Sequence, residues 1–171
     1  DYLLVDGYNI IFAWDQLKEL ARDNLDAARQ ALMDILANYR GFVNCEVILV
    51  FDAYKVHRNA GEVARYHQIY VVYTREAETA DMYIEQATYE IGKKNRVRVA
   101  TSDGMEQLII LGHGALRLSA RALWEEVCQV NGQIARIIEE RRQSDRLGRR
   151  HVSLPLGKDP EDPNNQGGTN R

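Results

Sequence analysis

Glu46-Val47-Ile48-Leu49-Val50-Phe51-Asp52 decides the fold. Its uninterrupted apolar centre, rich in Val and Ile and without alternation, suits a strand covered on both faces, as in a parallel sheet packed between helices. Comparable short runs stand at residues 2–5, 69–73, 96–100 and 115–118. Helical spacing occupies residues 25–39, 79–93, 104–111, 119–130 and 133–146. Strands alternating with helices predict an α/β domain with a mainly parallel central sheet. The helix after Thr79 is the best defined: Thr79 is a natural N-cap, and Ala80, Ile84, Ala87 and Ile91 form one apolar stripe. Ser119 caps a second helix whose Leu123, Val127 and Val130 face inward.

Composition limits the function classes. The chain has 171 residues, 45% hydrophobic and 27% charged, with 3 Pro, which excludes wholesale disorder, collagen and coiled coil. We expect one domain over residues 1–150, including a basic C-terminal helix, and a Pro-, Gly- and Asn-rich tail over 151–171. The 2 Cys, Cys45 and Cys128, stand apart in apolar stretches and are expected to be buried thiols, not a disulfide or zinc framework. No apolar run approaches the roughly 20 residues of a membrane span. The opening Tyr2-Leu3-Leu4-Val5 reads as a strand and not a signal peptide, so the expected compartment is cytoplasmic. A net charge of −3 argues against a nucleic-acid partner, but its distribution is uneven. Residues 131–151 carry 6 Arg against 3 acids, a local +3 on an otherwise acidic body.

Four acids carry the functional signal. Asp6 ends the first strand, Asp52 ends the second, Asp103 follows the fourth, and Asp81 lies in the first turn of the Thr79 helix. In an open parallel sheet ligands bind beyond the carboxyl ends of the strands, which is where a right-handed winding brings these acids. An oxygen-only set without His or Cys suits a hard cation, Mg²⁺ or Mn²⁺. Each acid alone also has a local explanation: Asp6-Gly7 and Asp103-Gly104 are turn dipeptides, and Asp81 favours the positive end of its helix. Asn9 could orient a water or a phosphate oxygen, or satisfy the backbone of a turn. Thr101 and Ser102 could donate to phosphate or make local turn bonds.

After Asp52, Tyr54, Lys55, His57, Arg58, Arg65 and Tyr66 interleave cations with aromatic rings. That mixture suits single-stranded nucleic acid, with cations for phosphates and rings for bases. Arg136, Arg141, Arg142, Arg146, Arg149 and Arg150 add a basic helical surface fit for RNA or a ribonucleoprotein, or for pairing with Glu139 and Glu140. Phosphate-loop, dinucleotide and serine-hydrolase motifs are absent.

Val5-Asp6-Gly7-Tyr8-Asn9-Ile10-Ile11, Val50-Phe51-Asp52-Ala53, Glu78-Thr79-Ala80-Asp81-Met82-Tyr83-Ile84-Glu85 and Ala100-Thr101-Ser102-Asp103-Gly104, in this order, resemble the YacP-like NYN domains of the PIN-like nuclease superfamily. The resemblance spans about residues 1–140. It implies a three-layer α/β/α fold and a metal-dependent endoribonuclease acting on single-stranded RNA. It further implies metal-site roles for Asp6, Asp81 and Asp103 with Mg²⁺ or Mn²⁺, site roles for Asn9 and Asp52, and mRNA on the translating ribosome as partner. The competing readings are a non-catalytic RNA- or ribosome-binding module on the same fold, and a metal-dependent phosphatase for small molecules.

Overall fold

The computed structural model describes residues 1–55, 60–102 and 114–149, without the side chains at 55, 145, 148 and 149. In chain order the elements are β1 (Tyr2–Asp6), α1 (Gly7–Ala13), α2 (Asp15–Asp23), α3 (Leu25–Arg40), β2 (Glu46–Phe51), β3 (Val63–Tyr66), β4 (Ile69–Tyr73), α4 (Ala80–Gly92), β5 (Val97–Ala100), β6 (Leu116–Leu118) and α5 (Ala120–Arg149). The chain divides into two compact units, Asp1–Ile134 and Ala135–Arg171. The first holds the sheet, and α5 contributes its opening turns to it.

Six strands form one sheet in the order β3-β4-β2-β1-β5-β6. All neighbours are parallel except the hairpin pair β3 and β4. The chain winds outward from β1 through β2 to β4, then returns by α4 to β5 on the other side of β1. The order therefore reverses at β1, and the crevice beyond its carboxyl end is where such sheets bind ligands.

Side-chain alternation along β1 assigns the layers. Leu3 and Val5 are wholly buried in a core shared with α1, α3 and the start of α5, including Ile10, Leu32, Leu36 and Leu123. Leu4 faces the opposite core, where Val50, Val72 and Val99 pack on Ala80 and Ile84 of α4. The sheet thus lies between helices, the three-layer α/β/α arrangement that the sequence resemblance implies. Asp6, two residues beyond Leu4, continues the α4 face to the sheet edge.

The five expected strands and the helices of residues 25–39 and 79–93 are present within a residue or two. Both caps work: Thr79 Oγ1 accepts from the Met82 amide at 3.2 Å and Ser119 Oγ from the Ala122 amide at 3.0 Å. The helix expected over 104–111 lies outside the described residues. Two helices expected on either side of Asn131-Gly132 form one, α5. A helical Gly costs only about 1 kcal/mol, and α5 runs through Gly132 without a break. Elements α1, α2 and β3 are additions. Asp6-Gly7 is a helix start, not a turn, with Asp6 as N-cap. Cys45 is buried as expected, whereas Cys128 is exposed, on the outer side of α5. No described helix is long and apolar enough to cross a membrane.

Candidate active site

The site is built around the end of the central strand. The Asp6 carboxylate accepts from the Asn9 backbone amide at 3.3 Å and from Asn9 Nδ2 at 2.7 Å. The other end of the Asn9 side chain, Oδ1, accepts from the Ser102 hydroxyl at 2.6 Å. A relay from Ser102 beyond β5, through Asn9 on α1, thus fixes the carboxylate at the end of β1. Asn9, within α1 and not in a turn, thereby orients Asp6.

Asp6 is 3% exposed, and its pKa is pushed up to about 6. Burial is the largest cause; the two Asn9 bonds oppose it, and the charges of Asp81 and Asp52 push further upward. Asp81 itself is exposed, in the first turn of α4. Asp52 follows β2, and its Oδ1 accepts from the Ala80 amide at 2.7 Å. That charge-assisted bond ties the end of β2 to the positive end of α4, one residue before Asp81. A second tie runs alongside it: the Ala53 amide donates to Thr74 Oγ1 at 3.1 Å, and the Thr74 amide donates to the Phe51 carbonyl at 3.0 Å.

Asp6, Asp52 and Asp81 line one cleft of about 520 Å³ together with Asn9 and Ser102. The convergence expected of these acids is therefore present for three of the four. Asp103 lies outside the described residues, as do His57, Arg58 and the Lys55 side chain. Among the described residues, no group of three or more His, Cys, Asp or Glu stands close enough to hold a metal ion. The donors nonetheless have the chemistry a hard cation prefers: carboxylates, one of them buried and held above its ordinary pKa chiefly by that burial.

Two residues expected to contact RNA do not line the cleft. Thr101 is wholly buried, so its side chain cannot meet a polymer, and only its neighbour Ser102 reaches the cleft. Arg65 pairs with Tyr70 in the antiparallel hairpin, at the amino end of β4 and so at the edge opposite the acids. There it donates to the His67 carbonyl at 3.3 Å and lies over the Tyr70 ring. Tyr66 is also remote, its hydroxyl bonded to Asp34 and Gln30. Conversely, Phe12 lines the cleft although nothing in its immediate sequence singles it out. Its spacing of four from Tyr8 is the available signal, once Gly7–Ala13 is helical.

The chain resembles known proteins in sequence and in fold. The YacP-like NYN domain family matches residues 3–155. YacP of Bacillus subtilis (strain 168) is 41% identical over 141 residues, 82% of each chain. The crystal structure of Rae1 (YacP) from Bacillus subtilis superimposes with a TM-score of 0.74 at 40% identity, over 90% of this chain and 88% of that one. A tryptophan-to-leucine mutant of the same Bacillus subtilis protein gives the same TM-score of 0.74 over 84% of both chains.

Proposed function

Because the chain belongs to the YacP-like NYN family, which is nuclease-like with an RNA-related function, we propose that it is a metal-dependent endoribonuclease hydrolysing single-stranded RNA. Its substrate is mRNA engaged with the ribosome, in the cytoplasm. The observation that carries the proposal is the buried Asp6 carboxylate, raised to about 6 beside Asp52 and Asp81 in one open cleft. Capping α1 does not require this, since an exposed Asn would do as well. A bound cation would offset that cost of ionisation.

Asp6, Asp81 and Asp103 would hold Mg²⁺ or Mn²⁺. When bound, the ion supplies charge neutralisation at the phosphate and a more acidic water. The chain's own residues set the geometry. Asn9 and Ser102 keep Asp6 in one rotamer, Asp52 holds the start of α4 so that Asp81 faces Asp6, and the cleft admits an unpaired strand. Water attacks phosphorus, the bond to the 3′ oxygen breaks, and that oxygen takes up a proton. The products carry 5′-phosphate and 3′-hydroxyl ends.

The test is Mn²⁺ titration of RNA cleavage, on free RNA and on a message under translation, with wild type and Asp81→Asn. Saturable, metal-dependent cleavage lost in Asp81→Asn supports the enzyme. The second reading, a non-catalytic RNA- or ribosome-binding module, draws on the absence of a ready three-ligand group among the described residues. Tight ribosome binding without any effect of metal would favour it.

A further inference from the structure

The cleft presents a problem to the substrate proposed for it. Three carboxylates line it, and no Lys, Arg or His is among its described lining residues. A polyanion entering here gains nothing by charge from these described residues, so the affinity they add must come from groups indifferent to charge. Two such groups stand in it. Phe12 is 48% exposed and Tyr54 is 71% exposed, both large rings lining the same cleft as Asp6, Asp52 and Asp81.

Neither ring is placed casually. Phe12 stacks on Tyr8 at 6.4 Å between centroids with planes 25° apart. Tyr8 in turn is buried against Phe51 at 5.2 Å, and Phe51 stacks on Tyr73 at 6.0 Å. The Tyr8 hydroxyl accepts from Nη1 of the buried Arg29 at 3.1 Å, and Arg29 is paired with Asp26. Phe12 is thus the solvent-facing end of a fixed aromatic column that begins inside the core. Tyr54 sits in the short 3₁₀ turn Ala53–Lys55, two residues after Asp52, and the turn is held by the Ala53 bond to Thr74. Phe12, ordered by its column, loses little entropy when a flat ligand settles on it.

We propose that Phe12 and Tyr54 form a nucleobase-stacking subsite, taking an unpaired base of the RNA beside the phosphate directed to Asp6 and Asp81. The subsite rests on the RNA-cleaving reading and refines it. Stacking needs a base released from a helix, so it selects single strands, and every base offers a face, so it tolerates sequence. The affinity it supplies is independent of metal and only weakly sensitive to salt, unlike phosphate contacts.

The experiment uses the full chain and a short single-stranded RNA, unmodified or with one base removed at successive positions around the cut. Cleavage rate and affinity are measured for wild type, Phe12→Ala, Tyr54→Ala and the ring-retaining Phe12→Tyr. Wild type should lose roughly 5- to 100-fold when the base is missing at one particular position. Phe12→Ala should lose a comparable factor on intact RNA and little more when that same base is absent, and Phe12→Tyr should recover most of the loss. Losses that multiply independently at every position, or a Phe12→Ala and Tyr54→Ala pair indistinguishable from wild type, overturn the subsite while leaving the nuclease intact. Failure of wild type to bind or cut any RNA, free or on ribosomes, overturns the underlying reading instead.

Discussion

Replacing Asp6 by Asn gives a stability change whose size and sign depend on pH. The folded carboxyl titrates at about 6 against 3.8 for the free side chain. That difference corresponds to about 3 kcal/mol. A raised carboxyl pKa means that the folded state holds its proton longer than the unfolded state. Its contribution is therefore most favourable below the unfolded value, declines as pH rises, and is lost above the folded value. Without divalent metal, wild type should thus lose about 3 kcal/mol of stability from this group between pH ~4 and ~7. Asn does not titrate, but its amide meets the Asn9 Nδ2 donor that now points at Asp6. A disturbed hydrogen bond costs about 1 kcal/mol. Asp6→Asn should then be slightly less stable than wild type at acid pH and about 2 kcal/mol more stable near pH ~7.5. Urea denaturation of both proteins in EDTA across this window reads the difference directly. With saturating Mn²⁺ the sign should reverse at neutral pH, because only wild type gains binding energy. A difference that stays constant with pH would refute the burial argument for Asp6.

Asp52→Asn keeps an acceptor for the Ala80 amide, whereas Asp52→Ala leaves it without one. We expect Asp52→Ala to lose about 1–2 kcal/mol and most cleavage, with Asp52→Asn retaining much of both; equal loss in the two would make the charge itself essential. A Cβ on Gly7 would lie 2.3 Å from Phe51 Cε1, so Gly7→Ala should cost about 1–3 kcal/mol and displace the Tyr8 ring, seen as a lower urea midpoint and altered near-ultraviolet dichroism. The Thr88 hydroxyl is wholly buried and has no hydrogen-bond partner among the described residues, so Thr88→Val should raise stability by about 1 kcal/mol in the same assay, and a decrease would imply a bond the hydroxyl makes in solution.

Much of this molecule is legible from its sequence because doubly covered strands announce themselves. Val47 to Phe51 and Ile69 to Tyr73 sit between two helical layers and need apolar residues at nearly every position. The illegible parts have weak local signals. Helix α2 buries only Leu17, so its sequence is polar nearly throughout. Strand β3 is a sheet edge with no fully buried residue. The hairpin it forms also explains why Arg65 and Tyr66 lie away from the acids. They follow Asp52 closely in sequence, but the chain reverses and carries them to the far edge of the sheet. Proximity along the chain to a site residue implies proximity in space only while the chain direction is known.

The acids show where local and functional explanations part. From sequence, Asp6-Gly7 reads as a turn and Asp52 as the end of a strand; in the structure both acids cap helices. For Asp52 that role accounts for the residue: one oxygen meets one helix amide, at a position only partly buried. For Asp6 it does not. Capping α1 from solvent would be stable at neutral pH, yet this carboxylate is buried, both oxygens are engaged by Asn9, and two further acids raise its cost of ionisation. An uncharged cap would be better at every pH where the carboxyl is ionised in the absence of a cation. The residue's unfavourable placement is therefore a cost that the proposed cation would offset, as perturbed carboxylates at functional sites often require.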